Sequence, residues 1–417
     1  MIITVKNLGV IKKAEFDTSK KLTVFCGPNS TGKTYLAYVI YAFYSNKELF
    51  DLNSFKEVKK NIKTGNKITI KKKYIEEFLS KITNYCKQKI GEIFGISEES
   101  ENVFFDNFVI ETNIQDKDLI IKDELYHELM KAQNDSIKMK IWWNVALRQT
   151  IYGIHAYMLP VERNSIYTFK TELSLSRNQL LDAILEKNAK ISKITDLLGG
   201  NSRRYPWAIK DSLNTANDLE NVKKKNHELY NFAIELEDKL LHGKIAVNQN
   251  GDVEYQVKDN LYLPIGISSS IVKTLSSLII ALKYQVDKGN LLIIDEPEMN
   301  FHPVNQVILA EILAKISNNT PLLVSTHSDY IIREFNNLIV AKSLQKNGND
   351  TYRQYYDKDS LLDYKDVQVL YFNFDKNEKV NVKSLDVDKY GFAVDSMDET
   401  INNQNARMQN LFAQIDD

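Results

Sequence analysis

This sequence has little cysteine, no long apolar run and no large excess of charge of either sign. Its 417 residues include two cysteines, Cys26 and Cys86, which are too few for a disulfide framework or a zinc cluster. No apolar run approaches the length of a membrane span, and the N-terminus lacks the residue order of a signal peptide. The 54 basic and 55 acidic residues leave a formal net charge of -1, so contact with nucleic acid or a membrane needs a local patch. We therefore expect a cytoplasmic protein with no membrane contact.

The residues that are present have the composition of a globular protein, with 43% hydrophobic and 26% charged residues, which predicts packed cores. Three short β-like runs open the chain at 2–5, 11–16 and 21–26. Two more β-like runs, 367–374 and 379–385, and a polar helix near 397–412 are predicted in the tail.

The segment 27–34 fits the phosphate-loop pattern Gly-x-x-x-x-Gly-Lys-Ser/Thr without adjustment. Its glycines let the backbone aim N–H groups at phosphate oxygens, Lys33 reaches the β- and γ-phosphates, and the Thr34 hydroxyl can bind magnesium. An apolar run at 22–26 predicts a strand before the loop, and apolar residues at helical spacing in 35–44 predict a helix after it. The predicted nucleotide-binding residues are Gly27, Pro28, Asn29, Ser30, Thr31, Gly32, Lys33 and Thr34.

A second run, 291–294, is wholly aliphatic and ends in the acidic sequence Asp295-Glu296-Pro297-Glu298. Adjacent carboxylates at the tip of a buried strand are costly unless a cation or a substrate faces them. Asp295 suits the magnesium-holding role opposite Thr34, and Glu296 suits the base that orients and polarises an attacking water.

Polar residues near two further elements are also candidates. The last predicted core strand, 321–326, leads to His327. This histidine is either structural or a contact for the γ-phosphate or the attacking water. The second alternative follows from its position at the end of a strand that is parallel to the acidic strand. Ser268, Ser269 and Ser270 precede a predicted helix at about 271–288. They are either ordinary caps or a γ-phosphate receptor at the positive end of that helix.

The middle of the chain is less specific. The lysine run between Lys56 and Lys73 is interspersed with acidic residues, so we favour a solvated helical surface over a nucleic-acid contact. The β-like runs 103–111 and 119–121 are assigned to an insertion outside the nucleotide core.

Two alternatives stay open in the region that follows. Glu162 and Arg163 follow a predicted core strand at 155–160, where they either contact a ligand or form a surface ion pair. Residues 168–243 predict two helices, which form either a projecting hairpin arm or a core helical subdomain.

The order of these elements resembles the ABC-type ATPase heads of the SMC and RecF group. The closest resemblance is to stand-alone bacterial ATPases of the overcoming-lysogenisation-defect class, as in the Septu and PARIS anti-phage systems. Residues 27–34 look like Walker A, Asp295 to Glu298 with Asn300 and His302-Pro303 look like Walker B and the D-loop, and 325–328 look like the switch-histidine motif. The signature reads Gly-Ile-Ser-Ser-Ser at 266–270 in place of a serine-glycine-glycine sequence, and 159–163 resembles the glutamine-loop segment.

The resemblance implies an α/β fold, an ABC-type P-loop ATPase head with an inserted, mainly helical region that includes a short helical hairpin arm. The implied cofactors are ATP and Mg²⁺. The implied site comprises catalytic Lys33, Glu296 and His327, metal-binding Thr34 and Asp295, signature residues Ser268, Ser269 and Ser270 acting in trans, and a Q-loop-like pair, Glu162 and Arg163.

The resemblance also divides the chain. The head is split between 1–45, which carries Walker A, the core strand and Q-loop-like segment 155–167, and 244–340, which carries the other motifs. The remaining segments are an inserted α/β region at 46–154, the helical arm at 168–243 and a C-terminal β/α extension at 341–417.

In such heads two copies sandwich two ATP molecules, so a homodimer is implied, and a higher oligomer stays open. About 90 residues follow His327, and they show no Toprim nuclease pattern beyond the local echo Asp386-Val387-Asp388. We therefore expect an ATPase that serves as sensor and scaffold of an anti-phage system and controls a separately encoded nuclease or toxin. The alternative is a RecF/SMC-like DNA-binding ATPase in repair or recombination, for which nucleic acid would be the partner.

Overall fold

The computed structural model describes residues 1–46, 48–52, 55, 69–114, 119–121, 123–132, 134–151, 153, 155–170, 205–222 and 227–414. Most of the predicted lysine run and most of the first helix of the predicted arm therefore lie outside the described residues, as do the sequence positions 223–226 within its second helix.

A nine-stranded mixed sheet organises the molecule. The strands, in order across the sheet, are β5 (Val109–Asn113), β1 (Ile2–Leu8), β2 (Ile11–Asp17), β14 (Val380–Leu385), β13 (Val367–Phe374), β3 (Leu22–Cys26), β12 (Leu322–Ser325), β11 (Leu291–Asp295) and β7 (Ala156–Leu159). The five strands from β13 to β7 are parallel to one another, whereas β5, β1 and β2 pair antiparallel. The parallel part has the arrangement expected of a nucleotide-binding sheet.

Helices cover both faces of the parallel part. Every residue of β3 and β11 is buried, as expected for strands enclosed between two helical layers. The α-helices of the described residues, not all of which contact the sheet, are α1 (Lys33–Ser45), α2 (Lys72–Gln88), α3 (Ile90–Phe94), α4 (Glu98–Phe104), α5 (Asp123–Lys131), α6 (Ser136–Ile151), α7 (163–170), α8 (Trp207–Asn217), α9 (Leu219–Val222), α10 (Tyr230–Leu236), α11 (Ser270–Tyr284), α12 (Pro303–Ser317), α13 (Asp329–Lys346) and α14 (Asp395–Ala413).

Successive side chains of β11 point to opposite faces of the sheet, into two separate hydrophobic cores. Leu291 and Ile293 point into one core, which also contains α1 and the inserted helices. Leu292 and Ile294 point into the other, which contains α11, α12 and α13. The period-2 geometry of a strand therefore makes the sheet a partition between the two helical layers.

Two small antiparallel sheets complete the described structure. One joins β8 (Lys244–Val247), β9 (Val253–Lys258) and β10 (Leu261–Pro264), and its first hairpin lies where the turn residues at 248–252 predict it. The other joins β4 (Thr69–Ile70) and β6 (Leu119–Ile120), the second of which was predicted at 119–121.

The insertion and the tail contribute more to the central sheet than expected. The predicted strand at 103–111 is wrong over its first residues, because Val103 and Phe104 lie exposed at the end of α4. Its second half forms β5, which extends the main sheet through β1 and is not separate from it. In the tail, β13 pairs in parallel with β3, the strand that enters the phosphate loop.

The predicted α/β class, a P-loop ATPase head with mainly helical inserted residues, is confirmed. The phosphate loop lies between β3 and α1, and strands β11 and β12 carry the acidic and histidine motifs beside it. In the part of the chain that the structure describes, no helix is long and apolar enough to cross a membrane.

Candidate nucleotide-binding site

The loop 27–32 leaves the buried strand β3 at the carboxyl edge of the parallel strands, the usual ligand-binding edge of such sheets. Gly27, Ser30 and Gly32 have φ values of 132, 62 and 86°. A Cβ atom on Gly27 would lie 2.1 Å from the carbonyl oxygen of Phe372 on β13. The first glycine is therefore required by a close backbone approach as well as by its positive φ.

The Lys33 ammonium is held at this loop by backbone carbonyls. Its Nζ donates to Pro28 O at 2.7 Å and to Gly27 O at 3.1 Å, and the residue is 6% exposed. Burial lowers the pKa of Lys33, while the carboxylates of Asp295 and Glu296 act in the opposite direction. The sequence-predicted phosphate-binding lysine and the acidic motif therefore share one electrostatic environment.

Thr34 and Asp295 meet directly. The Thr34 hydroxyl donates to Asp295 Oδ2 at 2.7 Å, and Ser325 Oγ donates to Asp295 Oδ1. The second contact follows from the parallel register of β11 and β12, which places Asp295 opposite Ser325. A hydroxyl and a carboxylate oxygen side by side are the hard ligands that magnesium uses at phosphate sites, so these two residues fit the ion.

Within the described ranges, no group of three or more His, Cys, Asp or Glu side chains could hold a metal ion. A magnesium ion held by Thr34 and Asp295 therefore needs phosphate oxygens or water as its remaining ligands, as is usual for this ion. The metal site is consequently linked to the phosphate site.

Glu296 stands one residue beyond Asp295 on a strained backbone, with φ 48°. Its N–H donates to Ser325 O at 3.1 Å and to Ser325 Oγ at 3.2 Å, which fixes this conformation. His327 Nε2 lies 3.7 Å from Glu296 Oε1, beyond hydrogen-bond distance. Burial and the neighbouring Asp295 raise the pKa of Glu296, whereas burial and Lys33 lower the pKa of His327. The shift of Glu296 brings its pKa closer to neutral pH, as suits a general base, whereas the shift of His327 favours the uncharged imidazole.

Glu298, which the motif analysis gave no role of its own, connects the acidic strand to the histidine segment. Its Oε1 accepts hydrogen bonds from Thr326 Oγ1 at 2.7 Å and from the His327 N–H at 2.8 Å. Among the described residues its buried Oε2 has no hydrogen-bond partner, and burial raises the pKa of this carboxyl. The only sequence signal was a third carboxylate in the Asp-Glu-Pro-Glu run.

Arg163 lies beneath the acidic strand. The residue is 2% exposed, so the alternative of a surface ion pair is wrong for Arg163. Its guanidinium donates to Pro160 O at 3.0 Å, Asp295 O at 2.5 Å and Glu296 O at 2.6 Å. These bonds direct the cation to backbone carbonyls at the end of β11, and its neighbour Glu162 is exposed.

The signature serines lie at the start of α11. Ser268 Oγ donates to Pro264 O at 3.2 Å, while Ser269 and Ser270 are exposed. Ser269 occupies the N-cap position without a side-chain capping bond, which argues against the ordinary-cap alternative for this residue. Within the described chain, no hydrogen bond joins these serines to the loop 27–34.

The D-loop lies against the same helix. Asn300, with φ 67°, donates from Nδ2 to Thr274 Oγ1 of α11 at 3.4 Å. His302 caps α12, with its Nδ1 accepting from the Val304 N–H at 3.4 Å. Deeper along α11, Ser277 Oγ donates to Arg163 O at 3.1 Å, so the signature helix is tied to the support of the acidic strand.

Several solved heads of SMC proteins are similar to this chain. An SMC head bound to the C-winged helix domain of ScpA has 11% identity and a TM-score of 0.37, covering 93% of this chain and 98% of that chain. The Smc head domain of Pyrococcus furiosus, with an extended coiled coil and bound to the C-terminal domain of ScpA, has 12% identity, a TM-score of 0.38 and coverage of 97% and 98%. The SMC head domain of Thermotoga maritima has 10% identity, a TM-score of 0.35 and coverage of 93% and 98%.

No curated protein matches the chain. A family model described as an AAA ATPase domain, AAA_15, matches residues 1–332. This range includes the phosphate loop, the acidic strand and the histidine segment. The chain therefore belongs to the AAA_15 family of AAA ATPase domains.

Proposed function

We propose that this protein binds and hydrolyses ATP with magnesium in sites shared between two copies of an ABC-like head. The observation that carries the proposal is the Thr34–Asp295 hydrogen bond of 2.7 Å. It joins the phosphate loop to the acidic strand, residues that are 261 positions apart in the chain.

Each residue has a role that its position supports. Lys33 binds phosphate oxygens, and Thr34 with Asp295 holds magnesium, which neutralises phosphate charge when it is bound. Glu296 orients the attacking water and accepts its proton, and His327, 3.7 Å away, contacts the γ-phosphate or that water. Arg163 fixes the backbone from which Glu296 projects.

The signature serines support a site completed by a second copy. Ser269 and Ser270 are exposed at the N-terminus of a helix, where backbone N–H groups favour an anion. Exposed apolar residues accompany the motifs, which is typical of a surface that another molecule covers. These residues are Tyr35 after the phosphate loop, Ile267 before the serines, Val304 after the D-loop and Tyr330 after the histidine, with exposed fractions of 38%, 72%, 61% and 49%.

Two variants test the site. Glu296→Gln is expected to bind ATP and accumulate as a closed dimer because the base is lost while the binding groups remain. Lys33→Ala is expected to lose ATP binding. Equilibrium binding of labelled ATP, sedimentation velocity and phosphate release, each with magnesium and with a chelator, measure these effects. Hydrolysis at the wild-type rate by either variant would contradict the site assignment.

We further propose that the ATPase is the sensor and scaffold of an anti-phage system with a separately encoded effector. In its support, the tail supplies β13 and β14 to the ATPase sheet. Asp386 and Asp388, the only echo of a nuclease motif, are exposed beside a short bridge to Gly391. The described part of the tail therefore belongs to the ATPase sheet, and we identify no second catalytic cluster among its described residues.

Mass spectrometry of the native complex, after expression of the gene with its genomic neighbours, tests this role. Co-purification of a nuclease or another toxin is the expected result. If the chain emerges alone and retains DNA in a salt-dependent manner, the RecF-like alternative replaces the defence role. Of the described lysines in the run, Lys72 lies 3.7 Å from Glu76, which favours the solvated surface.

A further inference from the structure

Ser325 makes two side-chain contacts to which the proposed function gives no role. It is the last residue of β12, it is 1% exposed, and it lies opposite Asp295, the last residue of β11. Its hydroxyl donates to Asp295 Oδ1 and accepts from the Glu296 N–H at 3.2 Å. A single buried hydroxyl therefore lies between the proposed magnesium ligand and the backbone of the proposed base.

These two contacts determine the direction in which the Ser325 hydroxyl points. A serine hydroxyl can donate one hydrogen bond and can accept through its lone pairs. A backbone N–H can only donate, so the Glu296 N–H occupies a lone pair of the hydroxyl and leaves its proton for an acceptor. Asp295 Oδ1 is that acceptor. Because the Glu296 N–H also donates to Ser325 O at 3.1 Å, the backbone itself orients the hydroxyl toward the carboxylate.

The Asp295 carboxylate is held at both of its oxygens. Oδ1 accepts from Ser325, and Oδ2 accepts from the Thr34 hydroxyl at 2.7 Å. The terminal torsion of an aspartate side chain has broad minima, so the carboxylate group turns unless a neighbour fixes it. The bond from Ser325 to Oδ1 fixes that torsion. It thereby directs Oδ2 toward Thr34, the other oxygen ligand proposed for magnesium.

The next hydroxyl along the chain contacts a different carboxylate. Side chains of consecutive residues in an extended segment point to opposite sides, and Thr326 Oγ1 donates to Glu298 Oε1 at 2.7 Å. Glu298 in turn accepts from the His327 N–H at 2.8 Å. The two adjacent hydroxyls are therefore bonded to different parts of the site, Ser325 to the magnesium side and Thr326 to the histidine side.

We propose that Ser325 is a positioning residue for the magnesium site, which acts through Asp295 by holding its carboxylate with Oδ2 toward Thr34 and the ion. This inference rests on the proposed function and adds to it a residue outside the phosphate loop and the acidic motif. Hydrogen-bond partners that orient a metal-binding carboxylate set the affinity for the metal, and their loss typically lowers metal affinity or activity by about tenfold to a hundredfold.

Equilibrium binding of a labelled, non-hydrolysable ATP analogue to the full chain tests this role without hydrolysis. The affinity is measured at saturating free magnesium and in a chelator. By linkage, the ratio of the two affinities is the gain in magnesium affinity that the protein supplies, and we call it the magnesium ratio. Ser325→Ala is expected to lower the magnesium ratio by roughly tenfold. Its affinity in the chelator should change by less than about threefold, since Lys33 and the phosphate loop are untouched.

Two matched controls separate this effect from the loss of any buried hydroxyl. Ser317 is also 1% exposed and donates to Ala314 O at 2.8 Å at the end of α12, so Ser317→Ala removes the same atoms at equal burial. Thr326→Val removes the neighbouring hydroxyl, which is bonded to Glu298. Both variants should keep the wild-type magnesium ratio, even where Thr326→Val slows hydrolysis through His327. Thermal unfolding confirms that each variant is folded.

A second substitution and a second measurement keep the test decisive if Ser325→Ala is unstable. Ser325→Cys retains a weak donor at the same position, so its magnesium ratio should lie between those of the wild type and Ser325→Ala. Phosphate release is then measured over a range of magnesium concentrations. For either variant the half-maximal rate should need more magnesium than in the wild type, and excess magnesium should restore most of the rate. The Glu296 N–H keeps its bond to Ser325 O in both variants, so the base stays in place.

The possible failures of this inference differ from a failure of the proposed function. An unchanged magnesium ratio in the Ser325 variants, or an equal loss of affinity with magnesium and with chelator, would overturn the positioning role and leave the ATP site intact. A rate that stays low at every magnesium concentration would show that the hydroxyl acts on Glu296, against the proposal. A wild-type chain whose affinity for the analogue does not respond to magnesium would contradict the magnesium site of the proposed function, and the role of Ser325 would be rejected with it.

Discussion

Glu298 is the side chain through which the acidic strand fixes the position of His327. Its Oε1 accepts hydrogen bonds from both the Thr326 side chain and the His327 backbone, so a single carboxylate sets the position of the peptide that carries the imidazole. It does not reach the nucleotide-facing groups through a bond of its own. We therefore regard Glu298 as a positioning residue for His327.

Glu298→Ala is expected to lower kcat by roughly tenfold to a hundredfold, because a displacement of about 1 Å in a reacting group has effects of that size. ATP affinity should change by less than about threefold, since Lys33 and Thr34 are untouched. Glu298→Gln keeps the acceptor oxygen and should restore most of the rate. Phosphate release and ATP binding measure the two quantities separately. An equal loss in both variants, or a loss confined to ATP affinity, would contradict the positioning role.

The first glycine of the phosphate loop offers a test of the loop conformation. Gly27→Ala places a Cβ atom 2.1 Å from Phe372 O at φ 132°, so β13 or the loop must move. We expect destabilisation of about 3 kcal/mol and loss of ATP binding. Gly289→Ala is the control, because Gly289 has φ 85° but nothing within 4 Å of the added atom. It should cost about 1 kcal/mol through the backbone alone and leave ATP binding unchanged. Chemical denaturation that ranks the two variants equally would count against the described loop.

A buried ion pair lies near the C-terminal end of α11, the helix that begins at the signature serines. Lys283 Nζ lies 2.6 Å from Glu237 Oε1 and donates to Ile245 O at 3.1 Å. Glu237 also accepts from the Ile245 N–H at 2.6 Å, and both charged side chains are nearly inaccessible. Glu237 opens a π-helical turn, Glu237–Leu241, so this pair joins α11 to an irregular turn and to β8.

Removing one partner of this pair is expected to be costly. Lys283→Met leaves the Glu237 charge buried and uncompensated and should lower the free energy of unfolding by about 3 to 5 kcal/mol. Lys283→Met/Glu237→Gln removes both charges, keeps an acceptor for Ile245 and should recover more than half of that loss. Lys6→Met in the exposed Lys6–Glu111 pair should change stability by less than about 1 kcal/mol. Urea unfolding of the four proteins checks this order, and a double variant no better than Lys283→Met would contradict it.

The strands and helices around the motifs could be predicted from the sequence because local patterns determine them. The mainly apolar run at 22–26 and the wholly aliphatic run at 291–294 form buried parallel strands. The helix after the phosphate loop follows its 3.6-residue period. The place of β13 between β14 and β3 could not be predicted, since strand order depends on contacts between residues about 345 positions apart. The strand predicted at 103–111 is wrong over its first residues because its apolar residues suit either a helix or a strand. Tertiary contacts place only the residues from Val109 onward beside β1.

Some residues of the candidate site could likewise be predicted from the sequence, and others could not. Lys33, Thr34, Asp295 and Glu296 could be found from the sequence, since their motifs are short and contiguous. The actual contacts of Arg163 could not be predicted, because its donors bind backbone carbonyls 132 and 133 positions away, and backbone groups carry no sequence signal. The hydrogen bond that Glu298 accepts from Thr326 could not be predicted either, since an acidic turn and a structural carboxylate look alike in sequence.

At the scale of the whole molecule, the proposed function assigns one surface of the head to a second copy. That surface surrounds the nucleotide site and includes the exposed serines Ser269 and Ser270. Because the phosphate loop of one copy and the serines of the other would both contact the nucleotide, ATP would hold the two copies together and hydrolysis would release them. Such a dimer suits a scaffold that reports the nucleotide state to an effector.

The most direct test of shared nucleotide sites is phosphate release from mixed subunits. Lys33→Ala disables the phosphate loop, and Ser269→Glu/Ser270→Glu places negative charge at exposed positions where a γ-phosphate would bind in trans. Each protein alone should be inactive. An equimolar mixture should recover about a quarter of the wild-type rate, because half of the pairs are mixed and each mixed pair has one intact site of two. A mixture as inactive as its components, or full activity of the serine variant alone, would contradict a site built from two copies.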